Sequence, residues 1–279
     1  MTTTARTWLI TGISRGLGRS LAQAVLRRGD RVIGTTRSGA SDLQPNPYLE
    51  VLEMDAADPE QIRAAMRHVR AQCRLDVVVN NAGYGLIGAV EELTTPQVYE
   101  LFAANFFGSF HLLQEVLPLL RTQRNGRIIN ISSASALAPP PGFGLYGASK
   151  AALEAMSDAL AQELAPLRIH VSIVEPGQLR TDFFAASSVQ YAARSIGDYA
   201  ASSGRTTERL HQANGQQPGD PEAAAQAILE LADAEAPPLR LLLGSDALQR
   251  ARNKLAQTIS EIDRWEDLTR SVDYATETA

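Results

Sequence analysis

Tyr146 and Lys150 stand four residues apart in Tyr146-Gly147-Ala148-Ser149-Lys150, and the alanine-rich run behind them reads as a helix. One helical turn then brings the phenol and the ammonium to the same face. A phenol with a reference pKa of about 10 is a poor acid–base group at neutral pH. An ammonium at roughly 4 Å, in an effective dielectric of about 20, favours the phenolate by up to about 4 kcal/mol. Desolvation opposes that gain, so the spacing predicts a net lowering and proton donation to a carbonyl oxygen near neutrality. On an isolated helix the same pair is a capping tyrosine beside a solvated lysine. What reacts there has to come from the rest of the chain.

The N-terminal stretch supplies it. Trp8-Leu9-Ile10 runs into Thr11-Gly12-Ile13-Ser14-Arg15-Gly16-Leu17-Gly18, followed by an amphipathic run with Leu21, Ala22, Val25 and Leu26 on one face. Strand, glycine turn and helix in that order are the context in which a glycine motif reads as dinucleotide-binding. The glycines let the backbone approach a pyrophosphate, and the free amides at the helix start attract its charge. A second strand, Arg31–Thr36, ends at Thr36-Arg37-Ser38. An acidic residue at that point selects a ribose 2′-hydroxyl, and an arginine accommodates a 2′-phosphate. Here the acid is absent, and Arg15 and Arg37 lie on the same side, which favours NADP(H) over NAD(H). The alternative is two solvated surface arginines.

The remaining strands and helices follow at a regular rhythm. Leu49–Met54 reads as a third strand ending at Asp55-Ala56, Asp58-Pro59 starts a helix to about Cys73, and Asp76–Val79 is a fourth strand closing on Asn80-Asn81-Ala82-Gly83. A helix from Thr95-Pro96 carries Asn105 and continues to Leu120, with a bend or break expected near Gly108 and Pro118. Arg127–Ile131 delivers Ser132-Ser133 at its carboxyl end, a stiff loop spans Ala134–Leu145, and Ile169–Val174 leads into Pro176-Gly177-Gln178-Leu179-Arg180-Thr181. Residues 182–219 lose regularity and read as a substrate lid, with disorder as the alternative. Asp220-Pro221 restarts a helix, Leu239–Leu243 is a short seventh strand, and Gly244–Leu268 forms a C-terminal helical extension within 244–279. Strands alternating with helices in this way predict an α/β chain, one doubly wound parallel sheet with helices on both faces and no internal domain boundary.

Composition limits the partners. A net charge of -5 over 279 residues, with 20% charged and 44% hydrophobic residues, speaks for a globular enzyme-sized unit and against nucleic acid or an anionic membrane. Cys73 is the single cysteine, so no intrachain disulfide forms, and with no 18-residue apolar run and no signal-peptide core the expectation is a cytoplasmic protein. His68, His111, His170 and His211 are scattered without metal-ligand spacing, so no metal site is expected.

Taken together, Thr11-Gly-x-x-x-Gly16-x-Gly18, Asp55, Asn80-Asn81-Ala82-Gly83, Asn105, Ser133, Tyr146-x-x-x-Lys150 and Pro176-Gly177 with Thr181 resemble the short-chain dehydrogenase/reductase family over roughly Thr7 to Phe184. The resemblance implies a seven-stranded Rossmann sheet in the order 3-2-1-4-5-6-7. It implies Tyr146 as acid–base, Lys150 as the group that holds the nicotinamide ribose and lowers the phenol, Ser133 as the hydrogen-bond donor to the substrate oxygen, and Asn105 as holder of a relay water. Thr11, Gly12, Ser14, Arg15, Gly16, Leu17 and Gly18 would surround the phosphates, and Asp55 with Ala56 would meet the adenine. Asn81, Ala82 and Gly83 would line the centre of the cofactor pocket, and Pro176, Gly177, Leu179 and Thr181 the carboxamide end. Ser133 is preferred to Ser132 because it lies on the opposite strand face and thirteen residues before Tyr146, a usual family interval.

The substrate side is then expected from Tyr84, Ile87, Leu137, the Pro139–Pro141 loop, Phe143, Phe183 and Phe184, a lining suited to a hydrophobic carbonyl or alcohol. The resemblance also implies a homodimer or homotetramer paired through Phe106–Leu120 and Ala151–Leu164. Two rival readings are a non-catalytic NADP(H)-binding sensor on the same fold and an isomerase or dehydratase of the wider superfamily. A pure binder has no need of the Asn105, Ser133, Tyr146 and Lys150 set.

Overall fold

Trp8, Leu9 and Ile10 are all fully buried in β1 (Thr7–Thr11), as a strand covered on both faces requires. Trp8 and Ile10 face one apolar layer and Leu9 the other. The structure, a computed structural model, describes residues 5–72, 74–185 and 188–274. Six further strands join β1: β2 (Arg31–Thr36), β3 (Leu49–Glu53), β4 (Val77–Asn80), β5 (Gly126–Ile131), β6 (Ile169–Pro176) and β7 (Arg240–Leu243). All pairings are parallel, in the order β3-β2-β1-β4-β5-β6-β7 expected from the sequence. The single Rossmann-like domain thus reverses its strand order between β1 and β4, where such sheets open their ligand crevice.

Helices cover both faces. On one side α1 (Gly16–Arg27) supplies Leu17, Leu21 and Val25 to the layer that includes Trp8 and Ile10. On the other, α2 (Pro59–Gln72) supplies Ile62, Met66 and Val69 to the layer around Leu9 and Ile33. The expected end of α2 at Cys73 lies outside the described residues.

The bend or break expected near Gly108 and Pro118 takes the form of a π turn just before Gly108, and the helix runs on through Pro118. α3 (Thr95–Phe102), begun by a Thr94–Gln97 capping box and Pro96, passes through one π-helical turn, Ala103–Phe107, into α4 (Gly108–Gln123). The π turn holds Asn105, which is fully buried. Gly108 is needed for contact, since a Cβ there would lie 2.2 Å from the Ala56 carbonyl oxygen.

The stretch expected as a loop between β5 and the next helix holds a short helical turn, Ala134–Leu137, capped by Ser133, and α5 (Gly144–Leu164) begins two residues before Tyr146. Residues 182–219 are more regular than their composition predicts. Val189–Tyr191 pairs in parallel with Gly85–Ile87 as a two-stranded ribbon, and α6 (Arg205–Ala213) follows. A parallel pairing between segments a hundred residues apart leaves no local pattern to read. The helix α7 (Pro221–Asp233), capped by Asp220, packs Ala225, Ile228 and Leu229 beside α1. The expected Gly244–Leu268 helix is α8 (Ser245–Arg264), interrupted at Trp265 before a last turn, Glu266–Arg270. No helix of the described residues is long and apolar enough to cross a membrane.

Candidate active site

The carboxyl ends of β1, β4, β5 and β6 open on one cavity of about 710 Å³. At its inner wall stand Tyr146 and Ser133, the serine hydroxyl near enough to act on the phenol. Lys150, one turn on, donates from Nζ to the Ile131 carbonyl at 2.9 Å. Tyr146 and Lys150 are each 5% exposed, so helix α5 buries the phenol and the ammonium, with the half-buried Ser133 just past the end of β5. Ser132 turns the other way, and its hydroxyl donates to Glu154 Oε1. The alternation of a strand thereby separates two adjacent serines into different environments.

Burial decides the protonation states of these two groups. It pushes Tyr146 up to about 12, with the Ser133 hydrogen bond pulling the other way. It brings Lys150 down to about 8, opposed by the nearby Glu154 carboxylate. The expectation that Lys150 lowers the phenol is therefore corrected for the protein by itself. Desolvation outweighs Coulomb attraction when both groups are buried, and the ammonium is directed to a backbone carbonyl.

Asn105 lies behind this wall and does not line the cavity. Its Oδ1 accepts from the Tyr84 amide at 3.0 Å, while Nδ2 donates to the Tyr84 carbonyl at 3.0 Å and to Ser149 Oγ at 3.1 Å. Ser149 in turn donates to the Tyr146 carbonyl at 2.7 Å. The buried amide thus ties the chain after β4 to the first turn of α5. A Cβ on Gly83 would lie 2.8 Å from Asn105 Oδ1 and 3.4 Å from Lys150 Nζ, so only glycine passes between them without displacement.

At the far end the cavity is floored by Gly12, Ser14, Arg15, Gly16, Leu17 and Gly18. Gly12 and Gly16 adopt φ of +73° and +57°, the left-handed region that glycine occupies without cost. Arg15 is the N-cap of α1 but makes no side-chain cap, and no acidic residue stands in the first turn, so the amides there suit a phosphate. A dinucleotide fits this floor on two counts, the uncapped helix start and the glycine backbone. Thr36, Arg37, Asp55, Ala56, Asn81, Ala82, Gly83, Pro176, Gly177, Leu179 and Thr181 also line the cavity, Thr181 close beside Gly16.

Thr11 is the exception among the expected cofactor residues. It does not line the cavity. Its Oγ1 accepts from the Asn81 and Ala82 amides, each at 2.9 Å, so it locks the end of β4 to β1. Of the expected substrate residues, Tyr84, Ser133, Phe143, Tyr146 and Phe183 line the cavity, whereas Ile87, Leu137 and Pro139–Pro141 do not. Ile87 is buried in the cluster beneath, with Leu86, Leu101 and Val189. The Phe184 side chain lies outside the described residues. Ser188, Val189 and Gln190, from the expected lid, line the cavity as well, and sequence reading missed Arg250. Arg250 comes from α8, is half-buried, and donates to the Ala138 carbonyl and to Ser135 Oγ. The i,i+4 pair Asp246 and Arg250, on a helix that also receives the Gln178 amide at Asp246 Oδ2 (2.9 Å), is the signal that could have marked this face of α8.

Known proteins resemble this chain over most of their length. Residues 6–192 match the short chain dehydrogenase family. Oxidoreductase BOA17 of Botryotinia fuckeliana is 35% identical over 269 residues, covering 94% of this chain and 97% of that protein. The 3-ketodihydrosphingosine reductase of Bacteroides thetaiotaomicron is 35% identical over 239 residues, 85% of this chain and 87% of that one. A short-chain dehydrogenase from Streptomyces avermitilis, solved by crystallography, superposes with a TM-score of 0.88 at 38% identity, covering 97% of this chain and all of that one. With the family's sequence signature spanning more than half of its residues and relatives aligned nearly end to end, this chain belongs to the short chain dehydrogenase family, a family of oxidoreductases.

Proposed function

We propose that this protein is an NADP(H)-preferring oxidoreductase that interconverts a carbonyl and an alcohol on a small hydrophobic substrate. The observation that carries this reading is that Tyr146, Ser133 and Lys150 line the same cavity as the glycine turn, with Tyr146 and Lys150 buried. When bound, the nicotinamide supplies or accepts the hydride. The chain's own groups handle the oxygen. Ser133 donates a hydrogen bond to it, and Tyr146 gives it the proton in reduction or takes the proton in oxidation. A phenol held at about 12 is fully protonated at neutral pH, and an alkoxide is more basic still, so proton delivery runs downhill in the reductive direction. Lys150 holds the nicotinamide ribose and adds positive charge behind the phenol. Asn105 keeps the π turn and the Tyr84 backbone in register behind Lys150, and a relay water held there completes the proton route in this reading.

Arg15 and Arg37, with neutral Thr36 at the end of β2, support the 2′-phosphate preference. Tyr84, Phe143, Phe183 and Val189 support a hydrophobic substrate, with residues 182–219 as its lid. The relative that reduces a 3-keto compound by name supports a ketone as the reacting group. Pairing through Phe106–Leu120 and Ala151–Leu164, where Phe107 is 48% exposed, belongs to the same reading. The test is a panel of ketones, aldehydes and alcohols with NADPH and NADH side by side, repeated with Tyr146→Phe. Turnover should fall by about 10²–10⁴ while cofactor affinity is retained. A variant that turns over like the parent refutes the assignment of Tyr146.

A further inference from the structure

We propose that the outer face of α8 is where a second copy of this chain docks, in antiparallel orientation. Only Ala247 and Ala251 of α8 are buried. Leu248, Leu255, Ile259 and Ile262 are between 39% and 61% exposed. Their spacings of seven, four and three residues place them in one stripe along the helix, about 21 Å from end to end. From Ile259 to Tyr274 every described residue is exposed, so no described part of the same chain covers the stripe or the Trp265 that extends it. An apolar stripe of this kind on a projecting helix is the seam of a helix pair.

Charge selects the occupant and its direction. Apart from Asp246 and Arg250, which turn inward to Gln178 and Ala138, the first half of α8 carries Arg252 and Lys254. The second half and the turn after it carry Glu261, Asp263, Glu266 and Asp267 against Arg264 and Arg270. Two copies side by side in parallel would set like charges together. Reversed, with a two-fold axis near residue 257, Arg252 of one copy meets Asp263 of the other, Leu255 meets Ile259, and Leu248 meets Trp265. All three matches repeat on the other side of the axis, as a self-complementary two-fold interface demands. Neither Arg252 nor Asp263 makes an ion pair among the described residues. A phospholipid surface fits less well, because the acidic second half would face the headgroups where such helices carry lysine and arginine. This surface lies apart from α4 and α5 and is independent of the redox reading.

The test is sedimentation equilibrium of the full chain. Ile259→Glu should remove one association step, tetramer to dimer or dimer to monomer, weakening it by about 30-fold or more. Because Ile259 is exposed, its circular dichroism and melting temperature should match the parent. Arg252→Glu and Asp263→Arg should each weaken the same step, and the double variant should restore it, a rescue that parallel pairing does not allow. The proposal is overturned if Ile259→Glu leaves the mass distribution unchanged or the charge swap fails to rescue. It is equally overturned if the parent stays one step lower and co-sediments with phosphatidylcholine–phosphatidylserine vesicles.

Discussion

The Lys150 ammonium is bonded to the Ile131 carbonyl, the last residue of β5, two positions before Ser133. One strand end therefore positions both the cation and the hydroxyl that accompany Tyr146. Burial has brought this ammonium down to about 8, so it is charged below that pH and neutral above it. If the charge supports proton delivery, kcat/KM for reduction should be level below about pH 8 and fall above it, since that parameter reports groups of the free enzyme. Measuring the profile with NADPH checks this. Lys150→Met should lower the rate and abolish the inflection; an inflection that survives the substitution belongs to another group.

Arg37 is exposed on the flank of the cavity at the end of β2. A charge-assisted hydrogen bond to a 2′-phosphate is worth about 1.5–3 kcal/mol, or roughly 10- to 100-fold in affinity. Arg37→Asp should thus shift the ratio of NADPH to NADH dissociation constants by about that factor or more. Titration of each cofactor by fluorescence reads the ratio, and an unaltered preference would remove Arg37 from the phosphate site.

Helix propensity alone makes Gly18→Ala a gain of up to about 1 kcal/mol. The structure reverses the sign. A Cβ at Gly18 would lie 2.3 Å from Asn81 Nδ2 and 2.4 Å from the Gly12 carbonyl oxygen. Asn81 Nδ2 is already held by the Thr11 and Gly12 carbonyls at 2.8 and 3.1 Å, so relief requires breaking the link between β1 and β4. The melting temperature should fall, and cofactor affinity should fall by about tenfold or more, both measurable on the purified variant.

Glu175, 3% exposed at its side chain, stands one residue before Pro176 and is raised by burial to about 7, with Glu154 adding to the rise and Arg240 opposing it. Its Oε1 lies 3.3 Å from Arg240 Nε without hydrogen-bond alignment. A carboxyl whose folded pKa exceeds its unfolded one binds its proton more tightly in the folded state. Stability is then lost as pH rises from the unfolded value near 4.5 to about 7, and the loss is complete above that. Glu175→Gln should match the parent near pH 4 and exceed it by on the order of 2–3 kcal/mol at pH 8. Urea denaturation at the two pH values measures the difference.

Periodicity and spacing determined the parallel α/β class, because strand, glycine turn and helix are local patterns, and the motifs set on them carried the family resemblance that implied the strand order. They also isolated most of the cavity's residues, from Gly12 to Thr181. Tertiary structure decided what depends on contacts between distant segments. It assigned Ser132 to Glu154 and Ser133 to Tyr146, withdrew Thr11 from the cavity to the junction of β1 and β4, and gave the expected bend or break the form of a π turn that holds Asn105. It carried Arg250 to the turn after β5 from more than a hundred residues away. It also reversed the protonation argument, since the cost of burying a charge depends on everything packed around it, and four residues of sequence cannot state that.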